Sequence, residues 1–326
     1  MSPRIVYLFL AWLLAAPARA QDLREVQRSI ASNNWSAARN LIDQYLEKSP
    51  GRAEAGAWYY KGKIYTALSK KATPADKLKL QQEALRSFQS YQEMDSMNAM
   101  MELDGNAALF EIYDGSYNEG IIQYNKKDYG QALLYFKNAL DAKDYIYGKG
   151  FSLNGFSFPR LDTQLVNLAA RSAWYAKKEE EAAGYLEMLA SAGLKSPEYR
   201  QVYGLLAEHY CRKGDKEKWA QCLSQGRELY AAREAYWSYV EGRCLSTGIY
   251  ELEQAGQSTA QEQLPGKYEE LYTHARKSYD LYSKQTSLEP LDKEAYRGTI
   301  LQLIAYYQWK KDGDKAAHYQ EKLKGL

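Results

Sequence analysis

Gly120 stands twelve residues before Ala132, Phe136 follows four residues later and Ala139 seven later. On helices this interval lets two antiparallel neighbours approach at a crossing lined by small side chains. An aromatic ring on the second helix fills the space beside the crossing. Between the two, the residues before Asp128 and Tyr129 close a short turn. Such a hairpin buries one side of each helix only, so it needs neighbours built like itself.

The interval recurs from Val26 to Ala38, from Ala170 to Ala182 with Leu186 and Leu189 behind it, from Ala207 to Trp219, and from Ala305 to Ala317. Two units are stretched. Gly62 precedes Ala84 by 22 residues, with an extension around KKATPADKLK, and Phe88 and Tyr91 complete the second helix. Gly242 precedes Ala275 by 33, the excess being assigned to a loop GQSTAQEQLPG. Throughout, apolar residues recur at three- and four-residue spacing and no sustained period-two run appears, which predicts an all-α chain. About 300 residues also exceed what one compact core organises, so about seven hairpins in an array are expected.

These residues resemble the tetratricopeptide repeat. In its register Gly120, Ala132, Phe136 and Ala139 take the small, small, aromatic and alanine positions, with Asp128 and Tyr129 in the turn; Trp35, Pro50, Tyr203, Tyr210, Gly214 and Asp215 match elsewhere. Gln123 replaces a usual tyrosine. Trp219 replaces a small residue, which predicts a splayed or rearranged hairpin there. The units are spaced more widely than the family's period of about 34 residues. The resemblance implies an α-α superhelix over residues 21–326, a divergent array of the kind found in bacterial envelope proteins.

The family's inner groove is lined by fixed positions of each first helix. The resemblance places there Tyr59 and Lys63; Tyr117, Tyr124 and Asn125; Asn167, Arg171, Trp174 and Tyr175; Glu208 and Arg212; Tyr239 and Arg243; and Tyr306, Trp309 and Lys310. Rigid aromatics with interspersed arginines suit recognition of a protein or peptide partner. The expected centre is Arg171 with Trp174, beside Tyr117 and Tyr124. The same side chains can instead pack against the next repeat. An aromatic groove also stacks sugars, so a glycan-binding accessory or a helical enzyme is the alternative. Lys63, Asn167 and Arg171 do not fall in the register of the family's carboxylate clamp.

The chain opens MSPRIVYLFLAWLLAAPARA: Arg4, an apolar run from Ile5 to Ala16, then Ala18 and Ala20. This is read as a signal peptide of residues 1–20, cleaved before Gln21. The run is short for a span of about 20 residues, and no later run approaches that length. The mature chain is therefore expected in the periplasm or outside the cell, with no membrane span. Cleavage removes two of 43 basic residues and leaves 41 of each sign, without the basic excess of a nucleic-acid binder.

No arrangement of catalytic or metal-binding residues emerges. Glu179 to Glu181 fan around a helix as a solvated face. A phosphate loop fails because Phe156 follows Gly155. No enzyme activity, metal or cofactor is expected. Cys211, Cys222 and Cys244 form an odd set: a disulfide with a reactive thiol, a metal site with His209, or buried filler. Reduced, buried filler is expected, with Cys211 and Cys222 too far apart to bond. The segment YGKGFSLNGFSFP from Tyr147 is a long connection whose Phe151, Phe156 and Phe158 tuck against helices, or a loop that presents aromatics to a partner. Asp162 is expected to cap the helix behind it.

Overall fold

The computed structural model describes residues 23–48, 54–255 and 258–326, with backbone alone for 258–260. The proposed signal peptide and its cleavage point, and Pro50, lie outside the described residues. The fold is all-α, in two compact units that divide after Lys177. Among the described residues no helix is long and apolar enough to cross a membrane.

The first unit runs α1 (23–31), α2 (Trp35–Lys48), α3 (Ala55–Ser69), α4 (Pro74–Met94), a short α5 (Ala99–Leu103) that no spacing in the sequence announced, α6 (Ala107–Asn125), α7 (Tyr129–Gly148) and α8 (Thr163–Tyr175). Helix starts follow local chemistry. Thr73 caps α4, which opens on Pro74, where a missing N–H costs nothing. Asp128 and Asp162 accept from Gln131 N at 3.2 Å and Leu165 N at 3.0 Å to cap α7 and α8. The α6/α7 turn passes through Lys127 in the left-handed region, φ 63°, and Asp128 N donates back to Gln123 O.

Small-against-aromatic crossings hold α3 to α4 and α6 to α7. Ala84 and Ala132 are fully buried. A Cβ at Gly62 would lie 2.6 Å from the Phe88 ring, and one at Gly120 2.6 Å from the Phe136 ring. Both rings are buried in the core. Gly120→Ala should therefore destabilise the protein by about 1–3 kcal/mol through overpacking, despite alanine's better helix propensity. A denaturant melt equal to or better than wild type would mean that the ring can move.

In the 149–162 connection, Phe151 and Phe158 are buried while Phe156 is 54% exposed, with its ring edge against Phe110 and Phe158. Two of the three expected aromatics thus tuck in. The third lies at a tight turn in which Leu153 and Phe156 exchange backbone hydrogen bonds, and it stands partly in solvent.

The second unit runs α9 (Glu179–Ser191), α10 (Arg200–Lys213), α11 (Lys216–Leu229), α12 (Glu234–Ala255), α13 (Ser258–Tyr282), α14 (Pro290–Trp309) and α15 (Gly313–Lys324). Consecutive helices pair as α10 with α11, α12 with α13 and α14 with α15. Several local expectations change. The loop expected from Gly256 to Gly266 is helical from Ser258, with Pro265 inside α13. Further along the same helix Tyr268, Leu271, Ala275, Ser278 and Tyr282 recur at three- and four-residue spacing and are all buried. Packing of that stripe outweighs the backbone bond lost at the proline. In the last hairpin Ala316, not Ala317, is the buried residue, a register shift of one.

Trp219 is half-buried and does not fill a crossing; instead Gly226 of α11 receives the ring of Trp237 from α12, with which a Cβ there would collide. The hairpin is rearranged around a ring donated by the following helix. Finally, Cys211 and Cys244 are joined in a disulfide between α10 and α12, with their Cα atoms 5.8 Å apart, while Cys222 is a buried free thiol. The expectation of three reduced cysteines is corrected for that pair. Cys222 indeed does not join Cys211, and burial pushes its thiol up to about 11, away from reactivity.

Candidate functional site

Of the residues expected in a groove, one group meets on a half-buried face of the first unit. The face is made by two helices. On α8, Asn167, Arg171 and Trp174 recur at four- and three-residue spacing and are half-buried, while Leu165, Val166, Ala169, Ala170 and Ala173 turn to the core. On α6, Tyr113, Tyr117 and Tyr124 are likewise half-buried and share one side of the helix.

Aromatic and charged contacts tie the two sets together. The Arg171 guanidinium lies over the Tyr124 ring at 5.7 Å. Tyr124 packs edge-on against Tyr129 at 5.2 Å, and Tyr129 against Tyr175 at 4.9 Å. At the other end Tyr113 stacks on Tyr117 at 6.0 Å, and its hydroxyl donates to Asp162 at 3.0 Å. Burial, then the Asp162 charge, pushes the Tyr117 phenol above its ordinary value; burial does the same to Tyr124 against an opposing pull from Arg171. These phenols stay neutral and can donate hydrogen bonds.

Elsewhere the expected groove residues are occupied by the protein itself. Tyr59 is buried; its ring meets Phe88 and Tyr91, and its hydroxyl donates to Asp104 at 2.5 Å. Lys63 pairs with the same Asp104 at 2.7 Å. Both hold α3 to the turn after α5. In the second unit, Glu208 is buried and accepts from Arg212 at 2.5 Å and from Arg243 at 2.6 Å. Tyr239 leans on α14, where its ring fills the space that a Cβ at Gly298 would need. Tyr306 stacks on Tyr272 at 4.4 Å, Trp309 on Tyr268 at 4.6 Å, and Lys310 pairs with Glu269 at 2.6 Å. Asn125 is exposed at the end of α6.

Sequence reasoning missed a cavity of about 490 Å³ in the second unit, bounded by α10 to α13. Its walls come from four helices, and the one letter that pointed to it was the misplaced Trp219.

No family model matches the chain, and no curated protein matches it. Among solved structures it is similar to the human IFIT1 dimer with m7Gppp-AAAA, at 15% identity and a TM-score of 0.40, over 92% of this chain and 58% of that one. The chain thus spans less than two thirds of the IFIT1 chain. It is also similar to the TPR domain of P58(IPK), at 14% identity and a TM-score of 0.33, over 94% of this chain and 93% of that one. A third similarity is to the C-terminal part of a TPR repeat-containing protein from Cytophaga hutchinsonii, at 12% identity and a TM-score of 0.31, over 80% of this chain and 86% of that one. With TM-scores below 0.5, none of the three adds to the hairpin geometry described above.

Proposed function

We propose that this chain is an exported, non-catalytic scaffold of a bacterial cell envelope that holds a protein or peptide partner against the α6–α8 face of the first unit. Arg171 carries the proposal. Arg212 and Arg243 spend their charge on Glu208, whereas Arg171 forms no ion pair with the described residues and its buried Nε has no acceptor among them. A guanidinium left without a carboxylate, beside Tyr124, Trp174 and Asn167, suits an extended peptide with an acidic or terminal carboxylate, gripped by charge-assisted hydrogen bonds and ring contacts. The Cys211–Cys244 disulfide supports an oxidising compartment and with it the reading of residues 1–20 as an export signal.

The test is a pull-down by the mature chain from its native envelope, followed by affinity measurement with the captured partner. Arg171→Ala combined with Trp174→Ala should weaken binding by about 2 kcal/mol or more, the scale of an interface hot spot. The thermal melt should stay nearly intact, since both side chains are only half-buried. Unchanged binding with a large loss of stability would show instead that this face packs the repeats.

A further inference from the structure

We infer that the second unit holds a binding site for an uncharged aromatic ring with one hydrogen-bond donor on its edge, a phenol or an indole, in the cavity between α10, α11, α12 and α13. It is separate from the α6–α8 face, and neither reading depends on the other. At about 490 Å³ the cavity falls within the size range of small-ligand sites. Tyr210, Trp219, Leu245 and the Cys211–Cys244 disulfide supply its walls. Rings and sulfur are polarizable surfaces that favour an aromatic guest over an aliphatic one. Trp219 has no crossing to fill, because Trp237 packs over Gly226 in its place.

The polar side of the cavity is a relay with a fixed direction. Arg227 grips Glu241 through two hydrogen bonds, at 3.2 and 2.7 Å. The Oε2 oxygen that accepts from Arg227 Nη2 also lies 3.1 Å from His274 Nδ1. Burial opposes the carboxylate's charge, but the hydrogen bonds from His274 and Arg227 outweigh it and hold Glu241 at about 2. The Glu241 carboxylate keeps a proton on His274 Nδ1, so that in the uncharged ring Nε2 is the acceptor. Asp215, Lys216, Lys267 and Glu270 also line the cavity; Lys267 pairs with Glu270 at 3.7 Å, and Asp215 accepts from Lys218 N at 3.0 Å as the cap of α11. A largely apolar chamber with the His274 edge on its polar side suits a ring bearing O–H or N–H.

Free aromatic molecules and the Tyr or Trp side chain of a peptide share that chemistry. Calorimetric titration of the purified chain with p-cresol, 3-methylindole and toluene tests it. The first two should bind, and toluene should bind about fivefold to tenfold more weakly, the worth of one net hydrogen bond. Leu245→Trp, which fills the chamber, should abolish binding. His274→Phe keeps ring volume but removes the acceptor, and should bring the p-cresol to toluene ratio close to one. That ratio also decides the matter if Leu245→Trp fails to fold. A Gly-Tyr-Gly peptide that binds as well as p-cresol assigns the site to side chains, and one at least tenfold weaker assigns it to free aromatics. Absence of binding at millimolar p-cresol, an unchanged ratio in His274→Phe, or binding lost in the Arg171 and Trp174 double variant would overturn the inference. The last of these would move the ligand to the first unit.

Discussion

Asp292→Ala should cost about 3–5 kcal/mol, the expected penalty when one partner of a buried ion pair is removed. Asp292 lies in the first turn of α14 and is 2% exposed. One carboxylate oxygen lies 3.1 Å from Arg200 Nη2 and accepts from Tyr282 at 3.0 Å; the other accepts from Arg233 at 3.2 Å. Arg200 is 1% exposed, and its guanidinium sits over the Tyr236 ring at 4.9 Å. After the substitution the nearest remaining carboxylate to Arg200 is Glu289, at 3.8 Å and half in solvent. A full positive charge would then be buried with poor compensation. Replacing both partners, Arg200→Met with Asp292→Leu, should recover much of the loss, since no charge is then left unpaired. Denaturant titration of the three variants checks this. A loss below about 1 kcal/mol for Asp292→Ala, the range of exposed pairs, would mean that water reaches Arg200 easily.

The second large effect belongs to the disulfide. Cys211→Ser together with Cys244→Ser should lower stability by about 2–4 kcal/mol, because a bridge across 33 residues removes that much closure entropy from the unfolded chain. Reductant should shift the wild-type melt by a similar amount and leave the double variant's melt where it is. Identical wild-type melts with and without reductant would show that α10 and α12 hold together without the bond.

Those two interactions were among the features least visible in the sequence. The crossings of Gly62 with Phe88 and Gly120 with Phe136 were legible because steric fit is written there as a glycine on one helix and an alanine four residues before a phenylalanine on the next. The cap at Asp162 was legible because it is local: the donor lies three residues away. Pairing of Cys211 with Cys244 depends instead on how α10 meets α12, and nothing in local spacing favours Cys244 over Cys222. Pro265 and Gly266 spell a loop, but the buried stripe beginning at Tyr268 belongs to a longer helix. Tyr59 and Lys63 had groove positions in the repeat's register; α5 and the turn behind it, which place Asp104 against both, are additions to that register. The face around Arg171 emerged because its helix keeps the expected period, whereas the cavity depends on how four consecutive helices pack, which no local spacing specifies.

The three cysteines also bear on how the protein reaches its oxidised state. In the unfolded chain, Cys211 is separated from Cys222 by one third of the distance that separates it from Cys244. Closing the shorter loop is easier by about 1 kcal/mol, since each doubling of loop length adds about 0.6 kcal/mol. Cys222 also leaves the ribosome and any export channel before Cys244. Random oxidation therefore favours the wrong partner first. Only the docking of α10 on α12, with Cys222 withdrawn into the core of α11, gives the later cysteine precedence. Correct bonding thus has to follow helix packing, so that the disulfide records a completed fold and does not direct one.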